Sequence, residues 1–203
     1  MKKKIIAIMM ILILSFNTVV SASTTYFLPQ GLGKLHTYTP WDTIRWGWAQ
    51  GDLKSYVINN GALSNTCGIV TYGAYWAGAL TTTFGNVGDM MLVVEEGGII
   101  YPVIMADAKS PRDIGCNAWG HKYGQCVVEF EVLSSYIWSL YRGSGIYISD
   151  YLNKPIYKII NLGSVYDSTY YFWNPEQACI DNGLSGYTLL TSPYTSIVVG
   201  SSF

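Results

Sequence analysis

The sequence predicts a mainly β protein, with a small barrel, minor helix and a C-terminal β-rich extension. Short apolar runs recur along the chain and are separated by glycines, of which there are 21 in 203 residues. Tyrosine and tryptophan, which favour strands, number 17 and 7. Six or more short strands punctuated by glycine are typical of a small β-barrel or sandwich.

The first predicted segment is a secretory signal peptide, residues 1–22. "MKKK" is a positive n-region, "IIAIMMILILSF" is a short apolar core, and Val20 and Ala22 occupy the small-residue positions of a cleavage site. The alternative is an uncleaved anchor, but the apolar core is short for a membrane span. We therefore expect an exported protein, extracellular or associated with the cell wall, with no membrane contact after cleavage.

The next segments are an N-terminal region, residues 23–66, which packs on the barrel, and the barrel core, residues 67–132. Within the first, residues 41–58 can be laid on a helix, although two glycines weaken this prediction. The core contains two strands, Met90–Val94 and Ile99–Ala106. The "EEGG" sequence between them predicts a tight hairpin.

The predicted core ends on "CVVEFEV", in which Val128, Phe130 and Val132 alternate on one face. Ser134 is a candidate N-cap for a helix that follows. Residues 133–203 form the C-terminal extension of the same domain. They contain further strand-like runs, and the stretch "SIVVG" indicates an edge strand.

The charge balance bears on the kind of partner. The whole chain has 12 Lys and Arg against 13 Asp and Glu, and three of the lysines belong to the signal peptide. The mature protein is therefore acidic and has no basic patch for nucleic acid. Only 12% of residues are charged while 15% are aromatic. Such a surface suits carbohydrate, although tyrosines are also simply good strand residues.

The chain has four cysteines, Cys67, Cys116, Cys126 and Cys179. An even number in an exported protein allows two disulfides. Cys116 and Cys126 flank the "NAWGHKYGQ" loop and are the first predicted pair, which leaves Cys67 with Cys179. Their spacing is not that of a zinc site, and with only two histidines a His-rich metal centre is excluded. No metal, nucleotide or organic cofactor is expected.

One polar stretch stands between two apolar strands and is the candidate site. Five ionisable residues fall within fifteen positions of it: Asp107, Lys109, Arg112, Asp113 and His121. In a chain with so few charges this concentration predicts a functional site. The alternative is a polar loop that only joins two strands.

The order "VGDMMLVVEEGGIIYPVIMADAKS … NAWGHKYGQCVVEFEV" resembles small exported bacterial cell-wall proteins related to the double-psi β-barrel "3D" domains, which are named for three aspartates. The resemblance covers Cys67 to Val132. Ten positions carry it: Gly88, Gly98, Asp107, Lys109, Gly124, Val127, Val128, Glu129, Phe130 and Val132. The chain departs from the pattern in its central loop, where only Asp113 follows Asp107 and where a cysteine, a tryptophan and a histidine are added.

The resemblance implies a double-psi-type β-barrel that acts on peptidoglycan or another cell-wall glycan. Barrels of this kind include lytic transglycosylases and expansin-like proteins that loosen walls without clear hydrolysis. In a lytic transglycosylase one carboxyl group protonates the leaving oxygen, and the muramoyl 6-hydroxyl closes onto C1. Asp107 follows an apolar strand and is the predicted acid/base. The alternative role for Asp107 is to cap a turn.

Further catalytic candidates are His121, a second proton carrier, and Asp113, which could share the cleft. Each has an ordinary alternative as a loop residue. The candidate substrate-binding residues are Lys109, Trp119, Trp76 and Glu129. Glu129 faces away from the apolar side of its strand, and at least one of the two tryptophans is expected to pack in the core.

Two rival functions remain open. "NTCGIVTYGAYW" loosely resembles the nucleophile segment of NlpC/P60-like cysteine peptidases, with Cys67 as nucleophile and His121 as its partner. Against it, Gly68 stands where that motif has serine. The other rival is a non-catalytic module that binds cell-wall glycan on the same barrel. The oligomeric state is not indicated by the sequence.

Overall fold

The computed structural model describes residues 22–41, 53, 56–57, 59–66, 68–141, 152–192 and 195–200. It confirms a mainly β protein. The strands before the hairpin are β1 (Thr24–Phe27), β2 (Thr37–Pro40), β3 (Leu63–Thr66), β4 (Ile69–Tyr72) and β5 (Tyr75–Leu80). The later strands are β6 (Asp89–Glu95), β7 (Ile99–Ala108), β8 (Glu129–Val132), β9 (Ile156–Ser164), β10 (Thr188–Ser192) and β11 (Thr195–Val198). The α-helices whose bounds the structure describes are α1 (Ser134–Tyr141) and α2 (Pro175–Asp181), and a short 3-10 helix spans Lys122–Gly124.

All of these strands belong to one mixed sheet. Its main order is β1-β9-β6-β7-β5-β4-β8-β2, and β10 adds to β7 and carries β11. β7 runs parallel to β5 and to β10, and β2 runs parallel to β8. The sheet formed by the described strands is not closed, so the double-psi type of barrel stays a proposal.

The predicted hairpin is confirmed. β6 and β7 pair antiparallel, with Met90 opposite Ile104 and Val94 opposite Ile100. The turn is closed by a hydrogen bond from the Gly98 amide to the Glu95 carbonyl, 3.2 Å long. Gly97 and Gly98 have φ of 96° and 85°, a region that glycine enters without steric cost.

Both faces of the central sheet are buried, which explains why its strands are apolar at nearly every position. Along β7, Ile100, Ile104 and Ala106 pack in one core cluster, and Tyr101, Val103 and Met105 pack in the other. Trp76 lies in the second cluster and is only 1% exposed. Its predicted role as a sugar platform is therefore wrong, because no face of its indole is accessible to a ligand.

The segments on either side of the predicted core join the same sheet. β1 pairs with β9, and β2 pairs with β8 over Thr37–Pro40. The C-terminal extension supplies β9, α2, β10 and β11. Among the described strands β11 pairs with β10 alone, which confirms the edge strand predicted from "SIVVG". Residues 134–141 are helical, as predicted from Ser134.

Three predictions fall partly or wholly outside the described residues. The signal peptide does, except for residue 22. Most of the predicted helix over residues 41–58 does as well, although Leu53, Tyr56 and Val57 are helical and Leu53 and Val57 are buried. Cys67 is the third. Among the described residues, no helix has the length and apolar character needed to cross a membrane.

Candidate functional site

The centre of the candidate site is a buried ion pair between β7 and β8. The Lys109 Nζ lies 3.3 Å from the Glu129 Oε2, and the lysine side chain is fully buried while that of Glu129 is 18% exposed. Lys109 is held at the end of β7 by a backbone hydrogen bond to Leu80. Thr39 on β2 donates a hydrogen bond to the other oxygen, the Glu129 Oε1.

The contacts with Lys109 and Thr39 keep Glu129 ionised. Burial by itself raises the pKa of Glu129, but the hydrogen bond from Thr39 and the charge and hydrogen bond of Lys109 lower it further than burial raises it. The resulting pKa lies below the ordinary value of 4.5. Glu129 is therefore a fixed negative charge and not a proton donor near neutral pH.

His121 lies between two carboxylates. Its Nδ1 is 3.5 Å from the Glu129 Oε2 and 3.5 Å from the Lys109 Nζ. Its Nε2 is 3.2 Å from the Asp113 Oδ2, which is an ion-pair contact without the alignment of a hydrogen bond. The Nδ1 of a neutral ring can accept from Lys109, whereas the Nδ1 of a protonated ring can donate to Glu129.

The loop that carries Asp113 and His121 is held by its own backbone. His121 and Cys126 exchange two hydrogen bonds, of 3.0 and 3.1 Å. The Asn117 Oδ1 accepts from the amides of Trp119 and Gly120. Thr81 donates to the Ala118 carbonyl at 2.6 Å. These bonds fix the histidine beside the Lys109–Glu129 pair.

Gly120 is required where this loop closes. Its φ is 151°, and a Cβ added there would overlap the backbone carbonyl oxygen of Cys126. We predict that Gly120→Ala lowers the free energy of unfolding by roughly 1–3 kcal/mol, the usual cost of overpacking. Urea denaturation measures it. Gly97→Ala is the matched control, because Gly97 also has a positive φ but nothing within 4 Å of the added Cβ. Equal losses in both variants would contradict the steric account.

The predicted Cys116–Cys126 disulfide is not formed, and the described cysteines, Cys116, Cys126 and Cys179, are free thiols. The Cys126 Sγ is buried, 3.1 Å from the Thr37 Oγ1 and 3.9 Å from the Lys109 Nζ. The Cys116 Sγ instead contacts the Asn117 carbonyl. Cys179 is buried in the core, and burial raises its pKa to about 12. Cys67, its predicted partner, lies outside the described residues.

Asp107 is in register with Glu129 of the charged cluster, on the other side of β5. β7 has a bulge here, so that Met105 pairs with Gly78 and Asp107 pairs with Ala79. Ala79 also pairs with Glu129 on its other side. Asp107 and Glu129 are thus two strand spacings, about 10 Å, apart across β5. Asp107 is half-exposed, and its Oδ1 accepts a hydrogen bond from the Ala108 amide.

The aromatic candidates divide between core and surface. Trp119 is half-buried and packs on Phe84, with ring centroids 6.1 Å apart. Tyr123, in the same loop as His121, is 75% exposed. Tyr123 could not be selected from sequence, because a tyrosine between lysine and glycine is typical of an ordinary loop.

A second buried acid–base pair lies in the core, outside the candidate site. The His36 Nε2 is 4.0 Å from the Glu95 Oε1, too far for a hydrogen bond, and both side chains are fully buried. Burial raises the pKa of Glu95 above 4.5, although His36 and Lys154 lower it in part. Nothing local in the sequence links His36 with Glu95, so this pair could not be predicted.

The two glutamates are predicted to affect stability with opposite dependence on pH. A raised pKa means that folded Glu95 holds its proton longer than the unfolded chain does, so its contribution is lost as pH rises above about 4.5. Glu129, with a lowered pKa, loses its contribution as pH falls below that value. Melting temperatures from about pH 3 to 8 should show that Glu95→Gln gains most at neutral pH, whereas Glu129→Gln loses most there. Parallel profiles for the two variants would contradict the assignment.

The cysteine-peptidase hypothesis stays a prediction, because its nucleophile, Cys67, lies outside the described residues; only the other thiols can be compared with His121. Both ring nitrogens of His121 face carboxylates or Lys109, and no described thiol contacts the ring. Burial is also the largest influence on the pKa of Cys116 and raises it, with Asp113 adding to the rise and Lys109 opposing it. Cys116 is therefore a thiol and not a ready thiolate.

Within the described ranges, no group of three or more His, Cys, Asp or Glu side chains is arranged to hold a metal ion. Comparison with protein-family models, curated proteins and solved structures found no significant match. The site is therefore defined by its own geometry. In this mainly β protein, Lys109 pairs with an ionised Glu129, and His121 lies between two carboxylates. Asp107 is half-exposed on the other side of β5.

Proposed function

We propose that this protein is exported and cleaves the glycan strands of peptidoglycan by a lytic-transglycosylase-like reaction, with Asp107 as acid/base. The observation that carries the proposal is the position of Asp107. It is a half-exposed carboxyl group at the end of a buried strand, in register with the Lys109–Glu129 pair. The resemblance of residues 67–132 to the 3D-type domains supports the same residue.

The reaction needs only one carboxyl group. Its proton passes to the glycosidic oxygen as the bond from C1 to that oxygen breaks. The muramoyl 6-hydroxyl oxygen then bonds to C1 and gives its proton to the same carboxylate. No water is consumed, so the second, water-activating carboxylate of an inverting hydrolase is not required. The Ala108 amide donates a hydrogen bond to the Asp107 Oδ1 and so restrains the carboxyl group.

The charged cluster supports this reaction in two ways. His121 and Asp113 have 22% and 55% of their side chains exposed and can hydrogen-bond sugar hydroxyls directly. Lys109 has no exposed side-chain surface, so its proposed role changes from binding sugar to positioning Glu129. An ionised Glu129 in turn stabilises positive charge that develops on the sugar ring during cleavage.

The products released from purified sacculi test the proposal. A lytic transglycosylase releases fragments that end in 1,6-anhydromuramic acid, a hydrolase releases reducing ends, and a peptidase releases stem-peptide fragments. Mass spectrometry of the soluble fraction distinguishes the three. We expect anhydro ends. If reducing ends or stem-peptide fragments form the main fraction instead, the proposed reaction is wrong.

A non-catalytic glycan-binding role is the second candidate. It is favoured by the internal pairing of the charged cluster, in which Thr39, Lys109 and His121 all contact Glu129. In this second role the charged cluster is purely structural: it holds in place the loop that carries Tyr123. Binding to sacculi without release of any soluble fragment would select this role.

A further inference from the structure

A pocket is lined mainly by the C-terminal extension, with Ala74 as its one described lining residue from the part of the chain that carries the family resemblance. It is formed where α2 begins beside the β10–β11 hairpin and has a volume of about 280 Å³. Its lining includes Ala74, Trp173, Asn174, Glu176, Thr191 and Ile197. This volume is at the small end of ligand pockets, so it suits one or two small rings and not a large cofactor.

The indole of Trp173 supplies a flat apolar wall to this pocket. It is 58% exposed, unusually high for so large an apolar side chain. Its ring is supported from behind by buried Phe172, with centroids 4.8 Å apart and planes at 68°. An exposed but supported indole is preorganised to stack on a flat ligand face, because little side-chain entropy remains to be lost.

Polar groups stand around the indole. The Asn174 Oδ1 already caps α2 by accepting from the Gln177 amide, which leaves its Nδ2 to donate to a ligand. Thr191 donates its hydroxyl proton to the Thr195 carbonyl and keeps an acceptor lone pair. Within the described chain, no hydrogen bond is made to the Glu176 carboxylate. The pocket therefore offers a donor and several acceptors beside an apolar face.

The charge of the lining selects the chemistry of the occupant. Glu176 is the only ionisable residue in the described lining, so a phosphate or carboxylate ligand would meet repulsion and no cation. A pyranose ring has an apolar C–H face for the indole and neutral hydroxyls for the carboxylate, amide and threonine oxygen. These features fit a neutral sugar and no anionic group.

We propose that this pocket is a glycan-binding subsite that takes an uncharged amino-sugar residue of the cell-wall glycan. β10 pairs with β7 at Ile99 and Ile100, at the opposite end of the strand from Asp107. At about 3.3 Å a residue, the two ends are roughly 25 Å apart. The subsite holds the protein on the wall at a distance from the reacting bond. It rests on the proposed function only for the choice of glycan.

The test uses soluble oligomers of β-1,4-linked N-acetylglucosamine and isothermal titration calorimetry. The protein carries Asp107→Asn throughout, so that turnover cannot distort binding. Adding Trp173→Ala should weaken binding about fivefold to tenfold, the loss expected for one stacked ring. Adding Phe27→Ala is the matched control, because Phe27 is 59% exposed and packs on Tyr157 away from the pocket. Thermal melts establish that both variants fold.

Unchanged affinity after Trp173→Ala, in a folded protein, would overturn the subsite. So would equal losses with Phe27→Ala, or no binding of the oligomers at all. Analytical ultracentrifugation tests whether a second copy of the chain occupies the pocket. Self-association that disappears with Trp173→Ala would show an interface between copies and overturn the proposal. None of these outcomes depends on whether Asp107 is catalytic, so failure of the subsite and failure of the proposed reaction are distinguishable.

Discussion

Asp107→Asn is expected to slow the release of glycan fragments from sacculi at least about 100-fold, the usual contribution of a general acid. The amide keeps the size of the side chain and can still accept the hydrogen bond from the Ala108 amide, so the fold should be unchanged. It cannot give a proton to the leaving oxygen. Rates are measured from soluble anhydromuropeptides over time, with thermal melts of both proteins.

Asp167→Asn is the matched control, since Asp167 is an exposed turn residue after β9. It should release fragments at the wild-type rate. A normally folded Asp107→Asn protein with the wild-type rate would show that Asp107 is not the acid. Asp113→Asn separates the two carboxylates: we expect a smaller loss, because Asp113 contacts His121 and is not at the end of a buried strand.

Lys109→Met should lower the free energy of unfolding by about 3–5 kcal/mol, the usual cost of removing one partner of a buried ion pair. The substitution keeps the length and apolar stem of the side chain but removes the charge that faces Glu129. A buried carboxylate without its cation bears the full cost of desolvation. Urea denaturation near neutral pH measures the loss.

The double variant Lys109→Met/Glu129→Gln identifies the cause. If the cost comes from the uncompensated charge, removing that charge as well should recover much of the lost stability. Lys34→Met is the control, because Lys34 is exposed and its loss should change stability little. If the free energy of unfolding falls in the double variant by the sum of the losses in the two single variants, the pairing of Lys109 with Glu129 is contradicted.

The hairpin and the general location of the site could be predicted because their signals are local. Two apolar runs around adjacent glycines define β6 and β7. Ionisable residues directly after an apolar strand are a local signal, and Asp107 and Lys109 both follow such a strand, although the Lys109 side chain is buried and not exposed. The alternation of Glu129 with Val128 and Phe130 also correctly placed it off the apolar face.

The partners of Glu129 and the setting of Asp107 could not be predicted, because they depend on pairing between distant parts of the chain. Thr39 reaches Glu129 only because β2 runs parallel to β8. Asp107 lies in register with Ala79 only because β7 bulges after Met105. Neither pairing has a signature in the residues next to it in sequence.

The failed predictions have equally physical reasons. An even number of cysteines indicates a compartment and not a distance, so it could not show that Cys116 and Cys126 point to different neighbours. Trp76 was ambiguous because both faces of β5 are buried. On such a strand, alternation does not tell which aromatic side chain is exposed.

Cleavage of sacculi in water enriched in oxygen-18 tests the central claim most directly. If Asp107 serves as the single acid/base and the muramoyl 6-hydroxyl attacks C1, no water oxygen enters the new chain ends. We expect terminal muramoyl residues that are non-reducing and carry no oxygen-18. Incorporation of one labelled oxygen at each new end would show hydrolysis and contradict the account, as would the absence of any released fragment.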